Sequence, residues 1–334
     1  MSAPTGPSPE LYFDTIFAYQ RSAALKSALE LGVFTAIGDG PQAATAIAGV
    51  CGVPPRGIRI LCDYLTTLGF LTKAGDRYQL TQDSAVFLDR RSPAYLGGTA
   101  EFLYSPRLVD YLHRLTDTIR RGGVEADSMV EKENPAWVQF ARAMVPMMMP
   151  AAHAIADLLD VSSAGPIRVL DIAAGHGIFG IVLAQRNPAA EITALDWAPV
   201  LEVATEHART MGVGERHRTL AGSAFEVDYG SGYDVALVTN FVHHFDSRTN
   251  VEFFEKVAAS LKGGGRIVVL EFVPNEDRVS PPMAARFSLT MLSNTPNGDA
   301  YTFRELRTML AEAGFADVTA HPLPGPQTVV IGRK

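Results

Sequence analysis

The sequence holds very little cysteine: Cys51 and Cys62 are the two in 334 residues. Two thiols cannot build a disulfide framework, and no second pair offers a zinc site. No apolar run reaches the roughly 18 residues that would suggest a membrane span. The first ten residues, MSAPTGPSPE, lack the basic start and apolar stretch of a secretory signal. Positive charge is short as well. Lys and Arg number 29 against 36 Asp and Glu, a net charge of −7, so there is no overall field to hold nucleic acid or an acidic membrane. Disorder is excluded too, because 47% of the residues are apolar and only 19% are charged. What remains is a soluble protein expected in a reducing compartment, the cytoplasm. At 334 residues it exceeds the about 100–200 of one typical domain, so two domains or one with a large appendage are expected.

No repeat appears, and the Pro/Ser-rich first nine residues are expected to fray. From Leu11 to about Leu159 the apolar spacing is helical. Within it, residues 45–81 read as helix, turn, helix and a two-stranded wing. Pro54 and Pro55 open the second helix, Gly69 stops it, and Gly75-Asp76 turns the hairpin. Helical segments continue through Phe102–Arg120 and Trp137–Leu159. The texture changes near Ser162-Ser163-Ala164-Gly165-Pro166. Beyond it, apolar runs at Arg168–Ile172, Glu191–Leu195, His217–Ala221, Asp234–Thr239 and Arg266–Glu271 alternate with helices at Gly177–Arg186, Pro199–Met211 and Val251–Leu261. Alternation of apolar strands with helices predicts an α/β fold, a doubly wound, mostly parallel sheet. Val318–His321 and Thr328–Ile331 predict a closing antiparallel hairpin. The expected domains are a winged helix over 11–100, linking and pocket helices over 101–160, and an α/β domain over 161–334.

The most informative segment is the run Val169 to Gly180, a strand, a glycine turn and a helix. Gly175 and Gly177 let the backbone approach a ligand closely, since no Cβ intervenes. Asp196 closes the next strand, 21 residues past Gly175, where a carboxylate can accept both hydroxyls of a ribose. Gly175-x-Gly177-x-x-Gly180 also matches the dinucleotide fingerprint, which leaves a nicotinamide oxidoreductase as a rival. Two features favour S-adenosylmethionine. Asp171, four residues before the first glycine, would repel a pyrophosphate yet suit an ammonium and a sulfonium. The terminal hairpin is also foreign to the ordinary dinucleotide fold.

With these residues and the segments Gly222-Ser223-Ala224-Phe225 and Asn240-Phe241-Val242-His243-His244-Phe245, the chain resembles class I S-adenosylmethionine-dependent methyltransferases. The winged-helix segment narrows the resemblance to small-molecule O-methyltransferases of the caffeic acid and acetylserotonin type, from about residue 12 to 333. It implies a homodimer formed through the N-terminal domain, a small-molecule acceptor, and no nucleic-acid or membrane partner. It further implies that Gly175 and Gly177 pass the methionine part of the donor with Asp171 nearby. Asp196 would hold the ribose, Trp197 would cover the adenine, and Ser223, Ala224 and Phe225 would flank it. The family more often has an acid at Ser223. Asn240 and Phe241 would lie under the sulfonium.

Transfer from a sulfonium needs the nucleophile aligned, water excluded and, for a neutral hydroxyl, a proton removed. A free phenol titrates near about 10, so a histidine base helps at neutral pH. The resemblance makes His243 that base, oriented by Glu271; His244 stands where the family carries an aspartate. One departure weakens the copy. In Thr295-Pro296-Asn297-Gly298-Asp299-Ala300-Tyr301-Thr302 a second orienting glutamate is Ala300, and an asparagine that contacts substrate is Thr295. Transfer to carbon or nitrogen without a strong base, or a catalytically idle donor-binding protein, therefore stays open. Phe140, Met144, Met148, Met283, Phe287 and Met291 are the expected acceptor walls, apolar and adaptable. A winged-helix transcription regulator is the remaining rival. Residues 1–100 carry eight Lys/Arg and eight Asp/Glu, which supplies little for phosphate neutralisation.

Overall fold

The computed structural model describes residues 6–125 and 128–334, so the first five of the nine residues expected to fray lie outside the described residues. Two compact units divide after Tyr104. The division falls inside the segment expected to be helical over Phe102–Arg120, where Ser105 caps a new helix that opens on Pro106. Proline fits the first turn of a helix and breaks any later one.

The first unit has the helix–turn–helix and wing. Ala44–Cys51 ends at Gly52 (φ 68°), and Pro55–Thr67 starts behind Pro54. A strand β1 (Gln42–Ala43) joins the hairpin of β2 (Leu71–Ala74) and β3 (Arg77–Leu80), in the order β1-β3-β2. The two-residue β1 has no pattern long enough to read in sequence. Val33, Phe34, Ile47, Ile58, Leu65 and Tyr78 are buried together with Cys62, whose thiol burial pushes up to about 12. That cysteine is an inert core residue.

The second unit is built on a seven-stranded sheet, ordered β6-β5-β4-β7-β8-β10-β9. β4 (Arg168–Ile172), β5 (Glu191–Asp196), β6 (His217–Ala221), β7 (Tyr233–Thr239) and β8 (Leu261–Glu271) are parallel. β9 (Ala316–Pro322) and β10 (Thr328–Arg333) form the antiparallel hairpin, with β10 paired to β8. The doubly wound sheet and terminal hairpin agree with the sequence expectation. Two helices there had no assignment, Pro282–Asn294 and Phe303–Glu312. The second opens with a reciprocal capping box between Thr302 and Glu305, a signal visible as T-x-x-E.

Strand order fixes where chemistry can occur. β4 and β7 diverge in connectivity, so the crevice beyond their carboxyl ends is the switch point at which such sheets bind ligands. Ile172 pairs with Val238 and Thr239 with Leu270, which sets the ends of β4, β7 and β8 side by side. Among the described residues no helix is long and apolar enough to cross a membrane.

Candidate active site

The loop after β4 turns through left-handed backbone at Ala173 (φ 52°), Gly175 (55°) and Gly177 (73°). A Cβ on Gly177 would meet Ala204 at 3.0 Å, and one on Gly180 would meet Ile192 at 2.7 Å and Asp171 Oδ2 at 2.9 Å. These two glycines therefore let the helix Ile178–Arg186 lie close to its neighbours. Gly175 N donates to Asp196 Oδ2 at 2.8 Å, and Trp197 N donates to Oδ1 at 2.7 Å. Each carboxylate oxygen still has a lone pair for a hydroxyl. Burial pushes Asp196 up to about 6, against the pull of those two bonds.

Asp171 is 0% exposed, with Oδ2 accepting from Gly180 N at 3.0 Å; among the described residues Oδ1 has no hydrogen-bond partner. Burial chiefly, and Asp196 in addition, push its carboxyl up to about 7. His176 inside the loop stacks on Phe140 at 6.0 Å, and its Nδ1 accepts from Ile178 N at 3.2 Å. Burial and nearby His207 hold it down at about 3, so it is neutral.

The residues expected around adenine line the adjoining strand ends. Gly222 N donates to Asp196 O at 2.9 Å, which sets the 222–225 turn beside Asp196. Ser223 Oγ accepts from Phe225 N at 3.2 Å. Ala224 is buried, and its carbonyl accepts from Lys256 Nζ at 3.1 Å. Phe225 is 39% exposed and packs against Phe241, Phe245 and Phe253. Trp197 is half-buried, packed against the cluster of Ala141, Val200 and Val203.

Beyond β7, Asn240 takes a φ of 54° and the chain makes a tight turn, Val242–His244. Glu271 at the end of β8 holds this turn. Its Oε1 accepts from Phe241 N and Val242 N, both at 3.0 Å, and its Oε2 faces His243 Nδ1 at 2.5 Å. Both side chains are buried. A carboxylate accepts only, so Nδ1 carries a proton, and in the neutral ring the lone pair is on Nε2. Among the described residues Glu271 is the one carboxylate bonded to His243. His244 donates from Nδ1 to Phe241 O at 3.0 Å, and burial, with His243 beside it, holds it well below the usual histidine range. The turn is anchored further by Asn250 Nδ2 on Val242 O at 2.9 Å and by the Tyr301 hydroxyl on Phe245 O at 2.5 Å.

Aromatic rings surround the two histidines. Phe287 meets His243 edge-on at 4.8 Å and stacks on Phe272 at 4.0 Å, while Trp137 meets His244 edge-on at 5.2 Å. Met148 is buried, with its sulfur 3.7 Å from Asn240 Nδ2; Met144 and Met291 are buried as well. Thr295 and Met283, the other two residues expected near the acceptor, differ in exposure. Thr295 is 0% exposed; its hydroxyl donates to Met291 O at 2.7 Å and accepts from Gly298 N at 2.9 Å. It locks a turn. Met283 is 50% exposed at the start of its helix, on the solvent side. Trp137, Phe272, Asn250, Tyr301 and Gln327 went unnoticed in the sequence. The aromatic pair could have been suspected from composition near Phe140 and Glu271, but the polar three carry no motif.

An O-methyltransferase domain family matches residues 111–316, and an O-methyltransferase dimerisation domain matches residues 13–90. A putative O-methyltransferase from Nostoc punctiforme PCC 73102 is similar in structure, with a TM-score of 0.95 and 50% identity over 99% of this chain and 100% of that one. The tetracenomycin polyketide synthesis 8-O-methyl transferase of Streptomyces glaucescens is 30% identical over 95% of this chain and 94% of its own. The 3-hydroxy-5-methyl-1-naphthoate 3-O-methyltransferase of Streptomyces sahachiroi is 28% identical over 99% and 97%. With the glycine loop, its two acids and the histidine turn on one sheet edge, the chain belongs to the S-adenosylmethionine-dependent O-methyltransferase family.

Proposed function

We propose that this enzyme methylates a hydroxyl on a flat, apolar aromatic or polyketide-like metabolite, with His243 as general base and Glu271 as its orienting partner. The observation that carries this reading is the 2.5 Å contact between His243 Nδ1 and Glu271 Oε2, made by the same carboxylate that ties the turn. Similarity to polyketide and naphthoate O-methyltransferases supports the acceptor class, as do the rings of Phe287, Phe272 and Trp137 around the histidines. Met148 and Met144 add adaptable apolar surface. The enzyme works as a cytoplasmic homodimer through residues 11–100, with pocket helices in 101–160 and the donor site in 161–334.

Asp196 would accept the ribose hydroxyls, the backbone of Gly175 and Gly177 would lie along the amino-acid part, and Trp197, Ser223, Ala224 and Phe225 would flank the base. When bound, S-adenosylmethionine supplies an electrophilic methyl whose bonding pair stays with sulfur as the acceptor oxygen takes the carbon. His243 Nε2 receives the hydroxyl proton as that oxygen's lone pair forms the new bond, and the proton then passes to solvent. Glu271 stabilises the imidazolium and fixes its ring, as an acid behind a histidine does in other general-base sites. The missing second glutamate leaves one orienting carboxylate, which is enough to fix the tautomer. His244, held neutral, packs against the acceptor without competing for its proton.

The test is a screen of hydroxylated naphthoates and aromatic polyketides with isotopically labelled donor. Label is expected in an O-methyl ether; label only in C- or N-methyl products would overturn the acceptor reading. His243→Ala should lower kcat by roughly 10²–10⁴-fold with S-adenosylhomocysteine affinity retained. Asp196→Ala should weaken that affinity first. Unchanged kcat in the histidine variant would exclude the base role.

A further inference from the structure

One strand end lies between the donor loop and the base. β7 runs between β4, which leads into the glycine loop, and β8, which ends in Glu271. The residue just beyond β7 is Asn240, in the left-handed conformation that asparagine tolerates better than most residues. Its backbone N–H donates to Leu270 O at 2.8 Å, fastening it to β8. Its side chain is held from two sides. Gln327 Nε2 donates to Asn240 Oδ1 at 2.5 Å, and Asn240 Nδ2 donates to Met148 Sδ at 3.7 Å.

Gln327 comes from a segment with no functional signal of its own, the proline-rich turn of the terminal hairpin. Register brings it here. Thr328 pairs with Glu271 across β10 and β8, so the residue before it reaches past the end of β8. Gln327 is buried, and its carbonyl accepts from Leu323 N at 3.0 Å, which closes the turn and fixes its backbone. The direction of the amide pair is also fixed. A thioether sulfur has no proton and can only accept, so Asn240 must present nitrogen to Met148 and oxygen to Gln327. An amide nitrogen has two protons. Among the described residues, the second N–H of Asn240 has no acceptor.

We propose that Gln327 is a positioning residue for methyl transfer, setting the Asn240 amide so that its free N–H donates to the acceptor oxygen as that oxygen yields its proton to His243. The inference rests on the reading of His243 as base. It defines the acceptor chemically as a hydroxyl whose oxygen gains negative charge on the way to transfer, the behaviour of a phenol. The N–H then bonds more strongly in the transition state than in the ground state, which is the condition for raising kcat rather than only binding. It also gives the hairpin a part in catalysis.

Three variants test this against the wild type and His243→Ala. Gln327→Leu removes the bond at similar volume. Asn240→Asp keeps an acceptor for Gln327 and deletes both N–H groups. Gln327→Glu, as an ionised side chain, can only accept, so it turns the Asn240 amide round. All three are expected to lower kcat about five- to tenfold, the worth of one hydrogen bond, with S-adenosylhomocysteine affinity by calorimetry within about twofold; Gln327→Leu, which strands the half-buried Asn240 Oδ1, is also expected to melt somewhat earlier. In the His243→Ala background the Gln327→Leu effect on kcat should shrink. Wild-type kcat in Asn240→Asp, beside an impaired His243→Ala, would overturn the role of Asn240 and Gln327 alone. A Gln327→Leu protein that melts early and binds S-adenosylhomocysteine poorly, yet keeps its kcat, would reduce Gln327 to a structural residue. An unimpaired His243→Ala would remove the base reading and this inference with it.

Discussion

Glu271→Gln separates two tasks of one side chain. With its amide oxygen in the Oε1 position, glutamine still accepts from Phe241 N and Val242 N at 3.0 Å, so the turn Val242–His244 is kept. Its amide nitrogen then faces His243 Nδ1 at 2.5 Å, where two donors cannot share a bond. His243 must move its proton to Nε2, the nitrogen that has to receive the acceptor's proton. General-base help of roughly 10²–10⁴-fold is lost in that tautomer. The charge-assisted bond behind the imidazolium disappears too, about 1.5–3 kcal/mol, or roughly 10- to 150-fold. The expected kcat is therefore lower by about 10²-fold or more. Donor affinity should stay within about twofold and melting should barely move, because no buried polar group loses its partner. Glu271→Ala contrasts with this. It strands two buried N–H groups at about 1–3 kcal/mol each, a large part of the about 5–15 kcal/mol that holds a typical protein folded. The assay is single-turnover transfer of labelled methyl from about pH 6 to about pH 9, with calorimetry of S-adenosylhomocysteine and thermal melting alongside. A Glu271→Gln rate within about threefold of wild type at every pH would refute the reasoning, since the base effect alone should exceed it.

Gly298→Ala should lower kcat with little effect on donor binding, because its Cβ would sit 2.3 Å from His243 O and 2.6 Å from Thr295 Oγ1, pushing the histidine turn aside; wild-type turnover in that variant would show the turn to be yielding. Asp171 should make the ligand-free enzyme less stable as pH rises. Its folded pKa of about 7 lies above the unfolded value, so the folded state holds the extra proton, and that advantage fades between about pH 4 and about pH 7. Asp171→Asn lacks the titration, so its melting temperature relative to wild type should climb across that window and level off above it; a constant offset would refute the assignment.

Where the sequence was readable, the physics was local. The five parallel strands are apolar runs bounded by turns, and the glycine loop, Asp196, His243 and Glu271 sit at or beside strand ends, where position in the chain already says which edge of the sheet they occupy. Asp171 was harder, because β4 is buried on both faces and alternation carries no direction there. The turn that the Thr295 hydroxyl closes is a fact of backbone geometry alone. Gln327 depends on the pairing of Thr328 with Glu271, a register between segments far apart in the chain, and no short motif encodes that.

One carboxylate that both knots a turn and steers a ring makes folding and chemistry inseparable at this spot. Random loss-of-function alleles at Glu271 would mostly look like failures of expression, and the catalytic meaning would be hidden beneath them. A designer wishing to retune proton affinity here would first have to supply the two amides of Phe241 and Val242 with another anchor. Only with that substitute in place could the histidine's partner be varied freely.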